Sequence, residues 1–137
     1  MWCRQHAWLS TPEKDNGLIR REKIEQSGGK IEFPPLDDCE GALDLLSALM
    51  TAGPTEPGAM QELPLSWRTL QAWAELTEAG LSPGDFEAVS ALSETYLAAR
   101  DEYRGKSIPP PYDVVAINRK RLAQGIRDAF RAARSQI

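Results

Sequence analysis

The residues best suited to chemistry lie in the first forty positions and at one site, Asp101-Glu102, in the last third of the chain. Cys3 and His6 have the spacing of half a zinc site, and Cys39 could add a third ligand. No fourth ligand is evident, and structural zinc is held by four protein groups. His6 is the single histidine, so a serine-histidine or cysteine-histidine pair would have to draw its base from the N-terminal segment. Carboxylates are paired at Asp37-Asp38 and at Asp101-Glu102. Both pairs fall at expected helix ends, where capping, dipole compensation or hydration accounts for them without acid-base work. Gly28-Gly29 lacks the lysine and hydroxyl that a phosphate-cradling loop needs. These residues predict no enzyme, no metal site and no cofactor.

Binding groups are better represented. Trp67 and Trp73 stand six residues apart, about 120° from eclipsed on a helix. That spacing predicts one in the core and the other partly exposed, where a tryptophan offers a large apolar anchor to a partner. Arg119, Lys120, Arg121, Arg127, Arg131 and Arg134 give residues 113–137 a net charge of +4, whereas Leu36 to Tyr103 carries thirteen acidic and two basic residues, a net charge of −11. Opposite charges segregated in this way predict either a basic tail folded onto the acidic body or one presented to an acidic partner. The second helix of the central pair holds Asp85, Glu87 and Glu94, with no basic residue before Arg100, so phosphate would repel it. Nucleic acid is therefore disfavoured, and the C-terminal helix is the only surface that could contact it.

The elements that must carry these groups are short and helical. The chain has 137 residues, 42% hydrophobic and 26% charged, with a formal net charge of −4, which suits one small core. Two cysteines are too few for a disulfide scaffold, and neither a bilayer-spanning run nor a signal-peptide start is seen. Residues 1–35 alternate charged stretches with Pro12, Gly17, Gly28-Gly29 and Pro34-Pro35, predicting an irregular segment with one helical piece near Leu18 to Gln26. The main body would then cover Trp2, Trp8, Leu18 and Ile19.

A helical core is expected over 36–106. Leu43, Leu46 and Met50, widened by Ala42, Leu45 and Leu49, predict a helix from Asp38 to about Ala52, capped by Asp37 or Asp38 and stopped by Gly53-Pro54. A loop from Gly53 to Pro64 leads to a helix capped by Ser66 and ended by Gly80, with Trp67, Leu70, Trp73 or Ala74, and Leu76 or Thr77 on one side. Leu81-Ser82-Pro83 then opens another helix through about Arg100 or Tyr103, facing inward with Phe86, Val89, Leu92 or Ser93, Tyr96 and Leu97. So short a connection predicts an αα-hairpin, with Trp67 and Trp73 against Phe86, Val89 or Tyr96. Residues 107–112 form a proline-rich, stiff spacer. Asp113 caps a basic amphipathic helix over 113–137, striped by Val115, Leu122, Ile126, Ala129 or Phe130, and Ala133. The only strand signal is weak, at Lys30 to Phe33. The fold class is mainly α.

One stretch of this pattern resembles a known group. Gly53-Pro54-Thr55, Gly58-Ala59-Met60, Leu65-Ser66-Trp67-Arg68-Thr69-Leu70-Gln71-Ala72-Trp73, Leu76-Thr77, Leu81-Ser82-Pro83, and Leu92-Ser93 with Tyr96-Leu97 resemble small proteins of the tail gene cluster of long-tailed bacteriophages, the tail assembly chaperones and their downstream partners. The resemblance spans about Leu43 to Tyr112. It implies a morphogenesis factor in the bacterial host cytoplasm that holds the tape measure protein and the tail tube protein, with no membrane and no cofactor. Trp67, Trp73, Arg119, Lys120, Arg127, Arg131 and Arg134 are the expected partner-binding residues. Self-association, a virion structural or adaptor role, and a DNA-binding accessory role through the basic helix are the alternatives.

Overall fold

A computed structural model describes residues 1–36 and 41–135. In it the chain forms α1 (Trp2–Leu9), α2 (Arg20–Gln26), α3 (Ala42–Ala52), β1 (Glu56–Pro57), β2 (Glu62–Leu63), α4 (Trp67–Thr77), α5 (Pro83–Tyr103) and α6 (Val114–Ser135). The protein is mainly helical, as its periodicity predicts.

Local chemistry explains most boundaries. Ser66 Oγ accepts the amide of Thr69 at the start of α4. At α5, Ser82 and Asp85 satisfy one another's backbone amides reciprocally, and Pro83 occupies the first turn, a position where its missing N–H costs nothing. Asp113 Oδ1 accepts the amides of Val115 and Ala116 and opens α6. The expected stop of α4 at Gly80 falls earlier, because Glu78 itself takes the left-handed conformation (φ 54°) and Ala79 N–H returns to Ala74 O at 3.0 Å. The expected cap of α3 at Asp37 or Asp38 lies outside the described residues; Gly41 precedes the helix.

The 53–64 loop is more ordered than its prolines suggest. β1 and β2 pair antiparallel, Glu56 with Leu63 and Pro57 with Glu62, around a turn in which a side chain at Gly58 would collide with Gln61 O and Leu63. Ser93, fully buried on α5, holds this loop: its Oγ accepts Leu65 N–H at 2.8 Å and donates to Pro54 O at 2.7 Å. Ser93→Ala leaves both backbone groups unpaired in the interior. The expected loss is about 2 kcal/mol, read from the urea midpoint.

α5 is the axis of the core. It contributes Val89, Ser93, Tyr96, Ala99 and Tyr103, against Leu46, Ala48 and Leu49 of α3, Leu65, and Leu70 of α4. Beside the start of α4, Ser90 Oγ donates to Leu65 O at 3.2 Å, placing the two helices as a hairpin. Several expected inward residues face outward. Leu43 is 69% exposed and Leu76 87% exposed, because α3 turns Leu46 and Leu49 inward and α4 turns Leu70 inward.

The N-terminal region departs most from expectation. Trp2–Leu9 is a helix, not irregular chain, and places Cys3, Ala7, Trp8 and Leu9 in the core against α5. Residues 30–33 form no strand. The body covers Trp8 but leaves Leu18 exposed; the buried residue at the start of α2 is Arg20.

The spacer before α6 is tied down rather than free. Trp8 Nε1 donates to Ile108 O at 2.7 Å, and Tyr112 N–H donates to Gln5 Oε1 at 3.0 Å. Gln5, itself buried, gives its amide nitrogen to Glu32 O.

Candidate interaction surfaces

Trp67 begins α4, stacks on Phe86 with ring centroids 5.9 Å apart at 26°, and remains 52% exposed. Trp73, two turns on, is half-buried against the core. The sequence spacing anticipated this division, and it decides their roles: Trp67 presents an aromatic face, whereas Trp73 is packing. The hairpin that carries Trp67 also exposes Glu75, Glu78, Glu87 and Glu94.

α6 buries none of its described residues. Val115, Leu122, Ile126 and Phe130 are all exposed, as are Arg119, Lys120, Arg127, Arg131 and Arg134. Helical geometry puts Lys120, Arg127, Arg131 and Arg134 on one flank, while Arg119 falls within the apolar stripe, between the directions of Ile126 and Phe130. The described residues of α6 are not folded onto the acidic body. The residues proposed to bind partners thus form two groups, an aromatic site on the hairpin and a basic amphipathic helix, with Trp73 belonging to neither.

The groups suited by type to chemistry have structural surroundings. Cys3 is buried, and burial pushes its thiol pKa up, away from the reactive thiolate. Glu102 pairs with Arg4 at 2.9 Å, and the Arg4 guanidinium also donates to Tyr103 Oη at 2.7 Å. Cys39, Asp37 and Asp38 lie outside the described residues. Among the described residues, no three of His, Cys, Asp and Glu gather as a metal would require, and no helix is long and apolar enough to cross a membrane.

His6 sits in an aromatic cluster, edge-on to Trp2, Phe33 and Tyr96 at centroid distances of 5.4, 6.1 and 5.7 Å. Burial lowers its pKa, and Arg21 adds to the effect against an opposing backbone hydrogen bond. The unfolded chain therefore binds the proton first, and stability falls as pH drops below the unfolded value of about 6.5. His6→Gln is expected to flatten this part of the stability profile, measured as Tm between pH 7 and 5.

Carboxylates at the loop are also held by their surroundings. Thr69 and the Ser66 amide and hydroxyl keep Glu56 below the ordinary carboxylate range, and Thr55 and Arg100 do the same for Glu62.

Sequence reasoning missed Arg20. Its side chain is buried, 2% exposed, with its guanidinium 5.1 Å from the Trp8 ring centroid. It donates to Trp8 O, Thr11 O and Thr11 Oγ1 at 3.2, 3.2 and 2.6 Å, to Tyr103 O at 3.1 Å, and to Lys106 O. No carboxylate pairs with it among the described residues. One cation thereby joins the end of α1, the start of α2 and the exit of α5. No spacing signal could have found it, since its partners are backbone carbonyls about ten and about eighty-five positions away. No family model, curated protein or solved structure matches the chain.

Proposed function

We propose that this protein works by holding other macromolecules rather than by making or breaking bonds, as an assembly chaperone of phage tail morphogenesis that binds the tape measure protein, the tail tube protein, or both. The observation that carries this reading is α6, a 22-residue amphipathic helix with its apolar stripe and its basic flank both uncovered. A helix of this kind gains stability chiefly by laying its apolar face on another surface. Trp67 supplies a second contact, on an acidic hairpin and of different character. The tail assignment itself draws on the sequence resemblance over Leu43 to Tyr112.

Pull-down of purified tape measure and tube proteins tests the proposal. Trp67→Ala removes an exposed ring from a stack and is expected to weaken capture about tenfold or more, with circular dichroism unchanged. Trp73→Ala is the wrong probe, because that ring is part of the packing. Failure of the wild-type chain to capture either protein would overturn the reading. Stoichiometric presence in purified particles would instead make it a structural component. A gel shift that weakens steeply with salt would favour the DNA-binding role of α6.

A further inference from the structure

An apolar groove of about 600 Å³ opens between α1, α3 and α5, lined by Trp2, Leu36, Leu45, Ala88, Ala91 and Leu92 among others. Glu87 and Glu94 lie one turn either side of Ala91 on the helix surface, at i−4 and i+3. Asp101 continues the same row beyond the groove, beside Gln61 and Glu62, so α5 carries three carboxylates seven residues apart, of which the first two border the groove. All three are exposed, and none forms an ion pair among the described residues.

α6 carries the complement. Lys120, Arg127 and Arg134 are likewise seven residues apart, beside the uncovered stripe of Val115, Leu122, Ile126 and Phe130. Phe130 stands between Arg127 and Arg134 at i−3 and i+4, much as Ala91 stands between Glu87 and Glu94. Seven residues rise about 10.5 Å on either helix, so the two rows match in pitch. The helices also match in length, at 21 and 22 residues. The basic row lies on one hand of its apolar stripe and the acidic row on the other hand of the groove-lining residues. Flanks of opposite hand meet when the helices run parallel.

We propose that α6 of one copy docks parallel to α5 in the groove of a second copy, with Lys120 opposite Glu87, Arg127 opposite Glu94 and Arg134 opposite Asp101. The second copy is the occupant rather than the same chain, because the spacer is fastened to α1 at Ile108 and Tyr112. Those bonds remove the slack that a returning helix would need. The exchange is reciprocal, each copy giving α6 and receiving one; it stands without the tail-assembly reading, and because it covers the same face of α6, a partner that binds that face would have to displace the second copy.

Sedimentation across a concentration series tests this on the full chain. Wild type is expected to pass from monomer to dimer, and to weaken about tenfold when salt rises from 0.1 to 1 M. One triple variant, Lys120→Glu with Arg127→Glu and Arg134→Glu, and a second, Glu87→Lys with Glu94→Lys and Asp101→Lys, should each remain monomeric to at least about 100-fold higher concentration, because every pair is turned into a like-charge contact. All six positions are exposed, so both variants should keep the wild-type helical signal. Mixed in equal amounts, they should form a heterodimer, since each then offers the charge the other lacks.

A monomeric wild type overturns the proposal, whether the amides of α6 are protected from exchange, which would place the helix in its own groove, or not. A dimer that survives reversal of the α5 row but is lost on Leu122→Asp with Phe130→Asp also overturns it, assigning α6 to pairing with another α6.

Discussion

Arg20→Met is expected to lower the unfolding free energy by about 3–5 kcal/mol, a large part of what a domain of this size has. The methionine keeps most of the side chain's apolar volume, so the loss isolates the guanidinium. Four carbonyls, of Trp8, Thr11, Tyr103 and Lys106, together with the Thr11 hydroxyl, then lose a charged donor in a place that water reaches poorly. Each of these carbonyls keeps a backbone N–H donor, from Thr11, Arg20, Lys106 and Ile108 respectively, so what is lost is a set of charge-assisted hydrogen bonds, worth about 1.5–3 kcal/mol apiece and partly offset by the desolvation of the cation that the variant no longer has. Arg20→Lys should recover only part of the loss, because a compact ammonium cannot span acceptors on two separate segments as a planar fork does. Burial also lowers the pKa of Arg20, as Glu13 and Tyr103 partly oppose. A chemical denaturation curve displaced by less than about 1 kcal/mol for Arg20→Met would mean that these segments are held together by apolar packing alone.

The second large effect is expected at Trp8, which connects α1 to three other parts of the molecule. Its ring packs in the core and faces Arg20, its carbonyl accepts from Arg20, and its indole N–H donates to Ile108 O. Trp8→Ala should cost about 3–5 kcal/mol through the cavity it leaves. Trp8→Phe retains a ring but not the donor, and should cost about 1–2 kcal/mol for the lost hydrogen bond, with the space left by the smaller ring adding to it. Combined with Arg20→Met, Trp8→Ala should fall short of the sum of the single losses, since the two residues share contacts. Strict additivity in that cycle would show that the guanidinium and the indole stabilise the fold independently.

Both residues belong to the part of the chain that was hardest to read. α1 begins at Trp2 with no side-chain cap from Met1 before it, and its Trp2-Cys3-Arg4-Gln5-His6 start has neither a breaker nor an acidic first turn to announce a helix. Only the surface of α5 makes the segment worth ordering, by burying Cys3, Ala7, Trp8 and Leu9. Leu43 and Leu76 fail for a related reason. A stripe of apolar residues around a helix says that some face is buried, but neighbouring helices choose which part of it.

The legible features were those written in short stretches of backbone chemistry. Ser66, Ser82-Pro83-Asp85 and Asp113 mark helix starts because their oxygens satisfy amides two or three residues away, whatever the rest of the chain does. The apolar and basic rows of α6 and the division of labour between Trp67 and Trp73 follow from helical periodicity in the same way. The sequence by itself therefore determined a mainly helical protein, the hairpin, and a basic amphipathic C-terminal helix. Tertiary structure alone decided that the N-terminal helix enters the core, that Arg20 is buried among carbonyls from distant segments, and that α6 is left uncovered. Caps and stripes act over a few residues, whereas burial depends on which distant surfaces meet, and no local pattern encodes that meeting.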